Sequence, residues 1–125
     1  MSSPRRSRTA LLAPVVVCLA LLGACSSNDK ADTTIDVAAD ATTCGLSSTS
    51  VAAGTIGLDV TNNDDTVTEV YVYGADGKKV VGELENIGPG LTRSFTVKLK
   101  EGTYQVACKP GMKGSGIRTD LTVTA

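Results

Sequence analysis

Hydrophobic residues recur at every second position in several stretches after residue 34. A period of two places alternate side chains on opposite faces of an extended chain, so each stretch predicts a β-strand with one buried face. The alternating apolar positions are Ile35 and Val37; Ile56, Leu58 and Val60; Val70 and Val72; Phe95, Val97 and Leu99; Tyr104, Val106 and Cys108; and Ile117, Leu121 and Val123. Outside the first 24 residues, no stretch shows the spacing of an amphipathic helix.

Turn residues separate these stretches, and Asp76-Gly77, which follows the run at 70–73 after two residues, predicts a turn. Short strands rich in Thr and Val predict an all-β fold, either an antiparallel β-sandwich or a Greek-key barrel. The segments 81–91 and 109–116 contain Gly and Pro and are predicted to be irregular. Loops of this kind often carry function.

The N-terminus has the pattern of an export signal. Arg5, Arg6 and Arg8 precede an apolar run over residues 9–24, which is shorter than the roughly 20 residues of a membrane span. The run ends in Leu-Gly-Ala-Cys, which resembles the lipobox of bacterial lipoproteins. That resemblance implies cleavage before Cys25 and acylation of its thiol, which would anchor the protein to a membrane.

Three parts of the chain follow from this pattern. We expect a signal peptide over residues 1–24, a flexible polar tether over 25–34 and a single domain over 35–125. The whole chain has 12 basic and 13 acidic residues, a balance that gives no electrostatic footprint for nucleic acid. It has no histidine, which excludes His-dependent catalytic triads and His-ligated zinc.

The cysteines predict a disulfide. Cys18 lies in the predicted signal peptide and Cys25 is the predicted lipidation site, which leaves Cys44 and Cys108. Outside the cytoplasm the simplest expectation is that these two form a bridge. The alternative is that one or both thiolates bind a soft metal ion, and the two alternatives exclude each other.

Three further segments resemble a known family. The segment 101–114 resembles the closing part of cupredoxins, in which a Gly-x-Tyr corner leads into a strand that ends at a Cys, and a ligand loop ends at a Met. Together with 81–91 and Gly116-Ile117-Arg118, it closely resembles the cupredoxin-like domain of EfeO, the extracytoplasmic component of bacterial EfeUOB-type iron uptake systems. The resemblance covers nearly all of residues 35–125.

This resemblance implies a cupredoxin-like, antiparallel Greek-key β-sandwich that handles iron or copper for uptake. It implies a place in the cell envelope, in the periplasm or lipid-anchored to the outer face of the cytoplasmic membrane. An iron permease and a haem peroxidase of the same system would be the partners. EfeO proteins usually continue into a helical, imelysin-like domain, so we expect either a stand-alone lipoprotein or a truncated EfeO.

The chain departs from electron-carrying cupredoxins at the copper site. A type-1 copper site needs two imidazoles, a thiolate and a weak axial Met. The sequence keeps Cys108 and Met112 but has no imidazole, and a bridged Cys108 would be unable to bind metal. We therefore expect no type-1 copper site.

Other residues are candidates for holding a cation. Glu83 and Glu85 are two positions apart, so their carboxylates would project to one side of an extended segment. Hard oxygen ligands suit Fe(III), Ca²⁺ or Mn²⁺, with Cu²⁺ also acceptable, and Asp76 or Glu69 would lie nearby. Met112 is a soft ligand suited to Cu(I). The alternatives are that the two glutamates only keep a loop soluble and that Met112 is a hydrophobic plug.

Two classes of function therefore compete. The first is a metal-handling module beside a permease, and the second is a non-metal, Ig-like interaction module that docks to an envelope partner. We do not expect an enzyme, because the sequence offers no recognisable pair of nucleophile and base. A metal titration separates the two classes.

Overall fold

A computed structural model describes residues 30–125, which form nine β-strands. The strands are β1 (Thr33–Ala39), β2 (Cys44–Leu46), β3 (Ser50–Ala52), β4 (Gly54–Asn62), β5 (Thr68–Tyr73), β6 (Val80–Ile87), β7 (Thr92–Leu99), β8 (Gly102–Pro110) and β9 (Ile117–Thr124). Within this part of the chain no helix is long and apolar enough to cross a membrane. The predicted signal peptide, Cys25 with its lipidation, and most of the tether lie outside the described residues.

The strands form two sheets that pack face to face. The four-stranded sheet has the order β2-β1-β4-β7, and the five-stranded sheet has the order β3-β9-β8-β5-β6. Most neighbouring strands are antiparallel, but β1 pairs with β4 and β3 pairs with β9 in parallel. The predicted all-β sandwich is confirmed.

The core lies between the sheets and consists of the apolar positions of the period-two pattern. Ile35, Ile56, Leu58, Val70 and Leu121 are fully buried. Residues between them on the same strands point outward and are largely polar, as the alternation predicts.

A disulfide between Cys44 and Cys108 joins the two sheets. Cys44 opens β2 in the four-stranded sheet and Cys108 lies near the end of β8 in the five-stranded sheet. Both residues belong to the core, and Cys108 has no exposed surface. The predicted bridge is confirmed, so neither sulfur is a free thiolate for a soft metal.

The prediction that residues 81–91 are irregular is wrong for most of that segment, because β6 spans Val80–Ile87. β6 could not be predicted from periodicity because it is an edge strand with register shifts against β5. These shifts break the alternation of apolar and polar residues. Gly82 also takes an inward position where the pattern calls for a large apolar residue, and Asn86 has a positive φ of 57°.

The first strand begins at Thr33, two residues before the expected domain boundary. Thr33 pairs with Ile56 in the parallel β1–β4 ladder. Just before it, the Asp32 amide donates to the Thr55 carbonyl over 2.8 Å, and the Thr55 amide donates to the Asp32 carboxylate over 2.9 Å. These bonds fix the chain where it enters the sandwich.

The sandwich has two distinct ends. We call the end where β1 begins the proximal end; it also holds the turns at 74–79 and 100–101. We call the other end the distal end; the loops 63–67, 88–91 and 111–116 meet there. The buried Asn62 organises the distal end, because its side-chain amide donates to the carbonyls of Thr66 and Ile87, each over 2.8 Å.

Candidate functional site

The outer face of the five-stranded sheet carries a group of polar residues centred on Tyr71. Val70 and Val72 of β5 point into the core, so Glu69 and Tyr71 point outward. The strand register then places Tyr71 beside Glu83 of β6 and Glu69 beside Lys109 of β8. We call Glu69, Tyr71, Glu83, Glu85 and Lys109 the Tyr71 cluster.

Hydrogen bonds hold the hydroxyl of Tyr71 among the carboxylates. It donates to Glu85 Oε1 over 2.9 Å and lies 3.5 Å from Glu69 Oε2. The bond to Glu85, together with desolvation and the negative charges of Glu69, Glu85 and Glu83, raises the pKa of Tyr71 well above its ordinary value. The phenol therefore keeps its proton at neutral and moderately alkaline pH.

Lys109 balances part of this negative charge. Its Nζ lies 3.8 Å from Glu69 Oε1 and 3.8 Å from the centre of the Tyr71 ring. The side chains of Lys109 and Glu69 are only 12% and 11% exposed. An ion pair shielded to this degree, with the ammonium over an aromatic face, fixes Glu69 in place. Glu83 and Glu85 are exposed and stay accessible to a solute.

A second cation, Arg118, lies beside the Tyr71 cluster, toward the proximal end. The Tyr71 and Tyr73 rings stack with their centres 5.7 Å apart, and the Arg118 guanidinium lies 4.2 Å from the centre of the Tyr73 ring. Arg118 also donates to the carbonyl of Gly77 over 2.6 Å and to Gln105 Oε1 over 3.0 Å. These contacts make this face of the sheet a fixed platform.

The structure brings together some of the residues proposed from sequence and separates others. Glu83 and Glu85 project from one side of β6, while Leu84 between them packs against the core. Met112 lies on a different element, the loop after β8, with a φ of 56° and 42% of its surface exposed.

Glu69 and Asp76, the carboxylates expected near Glu83 and Glu85, lie in different parts of the structure. Glu69 belongs to the Tyr71 cluster. Asp76 instead closes the β5–β6 turn, where it accepts the amides of Lys78 and Lys79, each over 2.9 Å. These two bonds lower the pKa of Asp76 below its ordinary value.

The atoms of the Tyr71 cluster that could bind a metal ion are the oxygen atoms of its glutamates and of Tyr71. Across residues 30–125, no three His, Cys, Asp or Glu side chains are arranged to hold a metal ion. The Tyr71 hydroxyl, which sequence reasoning did not include, adds a third oxygen beside Glu83 and Glu85. Its position could be derived only from the pairing of Tyr71 with Glu83 across the β5–β6 hairpin.

The sequence matches the profile of a family described as "Cupredoxin-like domain" over residues 11–123. The chain belongs to the cupredoxin-like family. No curated protein sequence matches it.

Solved structures of cupredoxins resemble the chain in fold. Reduced auracyanin from Roseiflexus castenholzii is 17% identical with a TM-score of 0.58, covering 77% of this chain and 100% of its own. Auracyanin A, a blue copper protein from Chloroflexus aurantiacus, is 18% identical with a TM-score of 0.53, covering 73% and 98%. A blue copper oxidase from Nitrosomonas europaea is 15% identical with a TM-score of 0.51, covering 73% of this chain and 38% of its own. At these identities the likeness is one of fold.

This cupredoxin-like domain does not have the residues of a type-1 copper site. The sulfur of Cys108 is bonded to Cys44, and the sequence contains no histidine to supply an imidazole. Of the residue types that bind type-1 copper, the loop after β8 contains only Met112. The donor set therefore does not fit type-1 copper.

Proposed function

We propose that this chain is a membrane-anchored, extracytoplasmic module that binds or relays iron, or copper, as cargo in an EfeO-like uptake system. An iron permease and a haem peroxidase of that system would be its partners. Membership of the cupredoxin-like family supports a metal-handling role. The disulfide supports an oxidising compartment, and the lipobox-like sequence before Cys25 supports the anchor. The proposed role is binding and not catalysis.

The Tyr71 cluster is the observation that carries the proposal. Two exposed carboxylates and a phenol hydroxyl lie together on a rigid sheet face, and hard oxygen donors of this kind favour Fe(III) over Cu(I). Lys109 neutralises Glu69, so Glu83 and Glu85 are the carboxylates that we assign to the cargo. Water or a chelating ligand on the cargo would complete its coordination.

Calorimetric titration of the chain without its lipid tests the proposal, using Fe(III), Cu²⁺ and Cu(I) in turn. We expect Fe(III) to bind most tightly and the Glu83→Gln/Glu85→Gln variant to bind it at least about tenfold more weakly, because the variant removes both carboxylate charges. Glu101→Gln is the matched control, because Glu101 is exposed in the turn at 100–101, away from the cluster. Affinities weaker than about 1 mM for all three ions would contradict metal handling.

Tyr71 provides a second readout of the same site. Cargo bound at Glu85 removes the acceptor of the Tyr71 hydroxyl, so bound metal should make the tyrosine easier to ionise. Ultraviolet difference spectra of the tyrosines, with and without Fe(III), measure this directly. Binding that leaves the Tyr71 spectrum unchanged would place the metal elsewhere.

A docking module without metal is the second candidate, and the distal end favours it. Val67, Leu91 and Met112 come from three different loops there and are 38%, 54% and 42% exposed. The backbone amide of Gly111 donates to the Val67 carbonyl over 2.8 Å, and the backbone amide of Asn62 donates to the Leu91 carbonyl over 3.0 Å. Apolar side chains on loops held in this way suit contact with a protein.

A further inference from the structure

The chain enters the sandwich next to two lysines of the proximal end. Asp32, which precedes β1, lines a shallow cavity of about 240 Å³ together with Gly54, Lys98 and Lys100. Seven residues separate Cys25 from Thr33, and a fully extended chain of that length reaches about 25 Å. An acyl group on Cys25 would therefore keep the proximal end close to the bilayer.

Further lysines lie at the same end. Lys78 and Lys79 are exposed in the β5–β6 turn. This turn leads into β6, and β6 packs against β7, the strand that contains Lys98. Lys100 is exposed in the turn between β7 and β8, and Lys30 is exposed just before the chain enters. Strands β6 and β7 place the two turns on one side of the proximal end.

Charge is distributed unevenly between the two ends of the domain. The chain start and the turns of the proximal end carry four lysines, Lys30, Lys78, Lys79 and Lys100, against three carboxylates, which are those of Asp32, Asp76 and Glu101. Lys98 lies near the proximal end of β7. The distal loops 63–67, 88–91 and 111–116 carry Asp64 and Asp65 against Lys113, and Arg93 lies near the distal end of β7. Removal of the predicted signal peptide leaves 9 basic and 13 acidic residues, so the positive proximal end contrasts with a negative domain.

We propose that the proximal end is a docking surface for an anionic lipid bilayer, with Lys78, Lys79 and Lys100 as its main contacts. The inference rests on the lipid anchor of the proposed function. Each lysine held near an anionic leaflet strengthens the contact about fivefold, and the anchor removes the cost of bringing the domain to the surface. The distal loops with Met112 then face away from the membrane.

The test attaches the anchor chemically. In the chain from residue 25 onward, Cys25 is the one unbridged thiol, because Cys44 and Cys108 are joined. Cys25 is coupled to a maleimide-headgroup phospholipid in vesicles of pure phosphatidylcholine or of phosphatidylcholine with phosphatidylglycerol. The rate of lysine acylation is then measured residue by residue by mass spectrometry.

We expect Lys78, Lys79 and Lys100 to react at least about threefold more slowly on the anionic vesicles than on the neutral ones. Lys113 at the distal end should react at the same rate on both. The protection should disappear in about 0.5 M salt, which screens charges beyond a few ångströms. Equal protection on both vesicle types, or protection of Lys113 instead, would overturn the proposal.

A pair of variants tests cooperation between the lysines. Lys78→Gln/Lys79→Gln should remove the protection of Lys100 on anionic vesicles, whereas Lys113→Gln should leave it unchanged. If Lys100 stays protected without Lys78 and Lys79, the surface is not the one proposed. The outcome is independent of the metal proposal, because no metal is present and the lipid is attached whether or not the cell acylates Cys25.

Discussion

At the scale of single residues, the bond between Tyr71 and Glu85 determines the chemistry of the outer sheet face. It fixes the phenol among three carboxylates and ties β5 to β6 through side chains as well as backbone. A raised pKa means that the folded protein holds the phenolic proton more tightly than the unfolded chain does. The stabilisation is therefore complete below about pH 10, the ordinary tyrosine pKa, and is lost as the pH rises through the folded-state pKa.

Replacement of Glu85 tests this coupling. We expect Glu85→Gln to lower the pKa of Tyr71 toward its ordinary value, because the amide can accept a hydrogen bond but carries no charge. Absorbance at alkaline pH measures the ionisation of the three tyrosines of the chain. Glu83→Gln, which acts on Tyr71 through charge alone, should cause a smaller fall, and an equal or larger one would contradict the assigned role of the hydrogen bond.

Only part of this site could be predicted from the sequence. Glu83 and Glu85 follow from their spacing, since residues two apart on a strand share a face. Tyr71 and Lys109 could not be derived in the same way, because their contacts with the glutamates depend on which residues lie opposite each other across β5, β6 and β8. The register shifts between β5 and β6 make that pairing invisible in a periodic pattern.

At the scale of elements, β6 owes its close packing against β7 to a glycine. A Cβ built on Gly82 would lie 3.1 Å from Val97 Cγ2 and 3.3 Å from Phe95 Cε2. These distances are tighter than ordinary contacts, so a methyl group at position 82 would require Val97 or Phe95 to move by a few tenths of an ångström.

Substitutions at two strand glycines should have opposite effects. We expect Gly82→Ala to lower the free energy of unfolding by about 1 kcal/mol through overpacking. Gly45→Ala should be neutral or raise it by about 0.5 kcal/mol, because its Cβ would meet Ala38 at an ordinary 3.7 Å and the unfolded chain would lose freedom. Urea unfolding measures both. A Gly82→Ala variant as stable as Gly45→Ala would show that the sheets can separate at no cost.

Strands in which apolar residues alternate could be predicted, including β1, β5 and β9, whereas β2, β3 and β6 could not. Large apolar residues occupy every second position of β4, β7 and the central part of β8, so periodicity alone locates these strands, although the small residues Gly57 and Ala107 are also buried. β2 and β3 have three residues each, too few to show a period. The parallel pairings of β1 and β3 lie beyond sequence reasoning, since each joins strands that are distant in the chain.

At the scale of the whole molecule, the disulfide ties the two sheets together. It joins residues 64 positions apart and lies within the core, next to the distal end. A bridge over so long a loop restricts the unfolded chain strongly. This matters for a domain of about a hundred residues, whose core is modest.

Removal of the bridge tests its contribution. We expect Cys44→Ala/Cys108→Ala to lower the free energy of unfolding by about 2–5 kcal/mol. Urea unfolding of the variant, beside the parent with and without a reducing agent, gives the value. The reduced parent should unfold at nearly the same urea concentration as the variant, and an unchanged midpoint in both would contradict a stabilising role.

The bridge also gives the protein two states of different stability, one with reduced cysteines and one with the disulfide. In the cytoplasm the two thiols would stay reduced, so a newly made chain would lack the bond between the sheets and would unfold more readily, which suits the export proposed above. After that export, formation of the disulfide would join the two sheets. A single covalent bond would thus delay the full stability of the domain until after the proposed export.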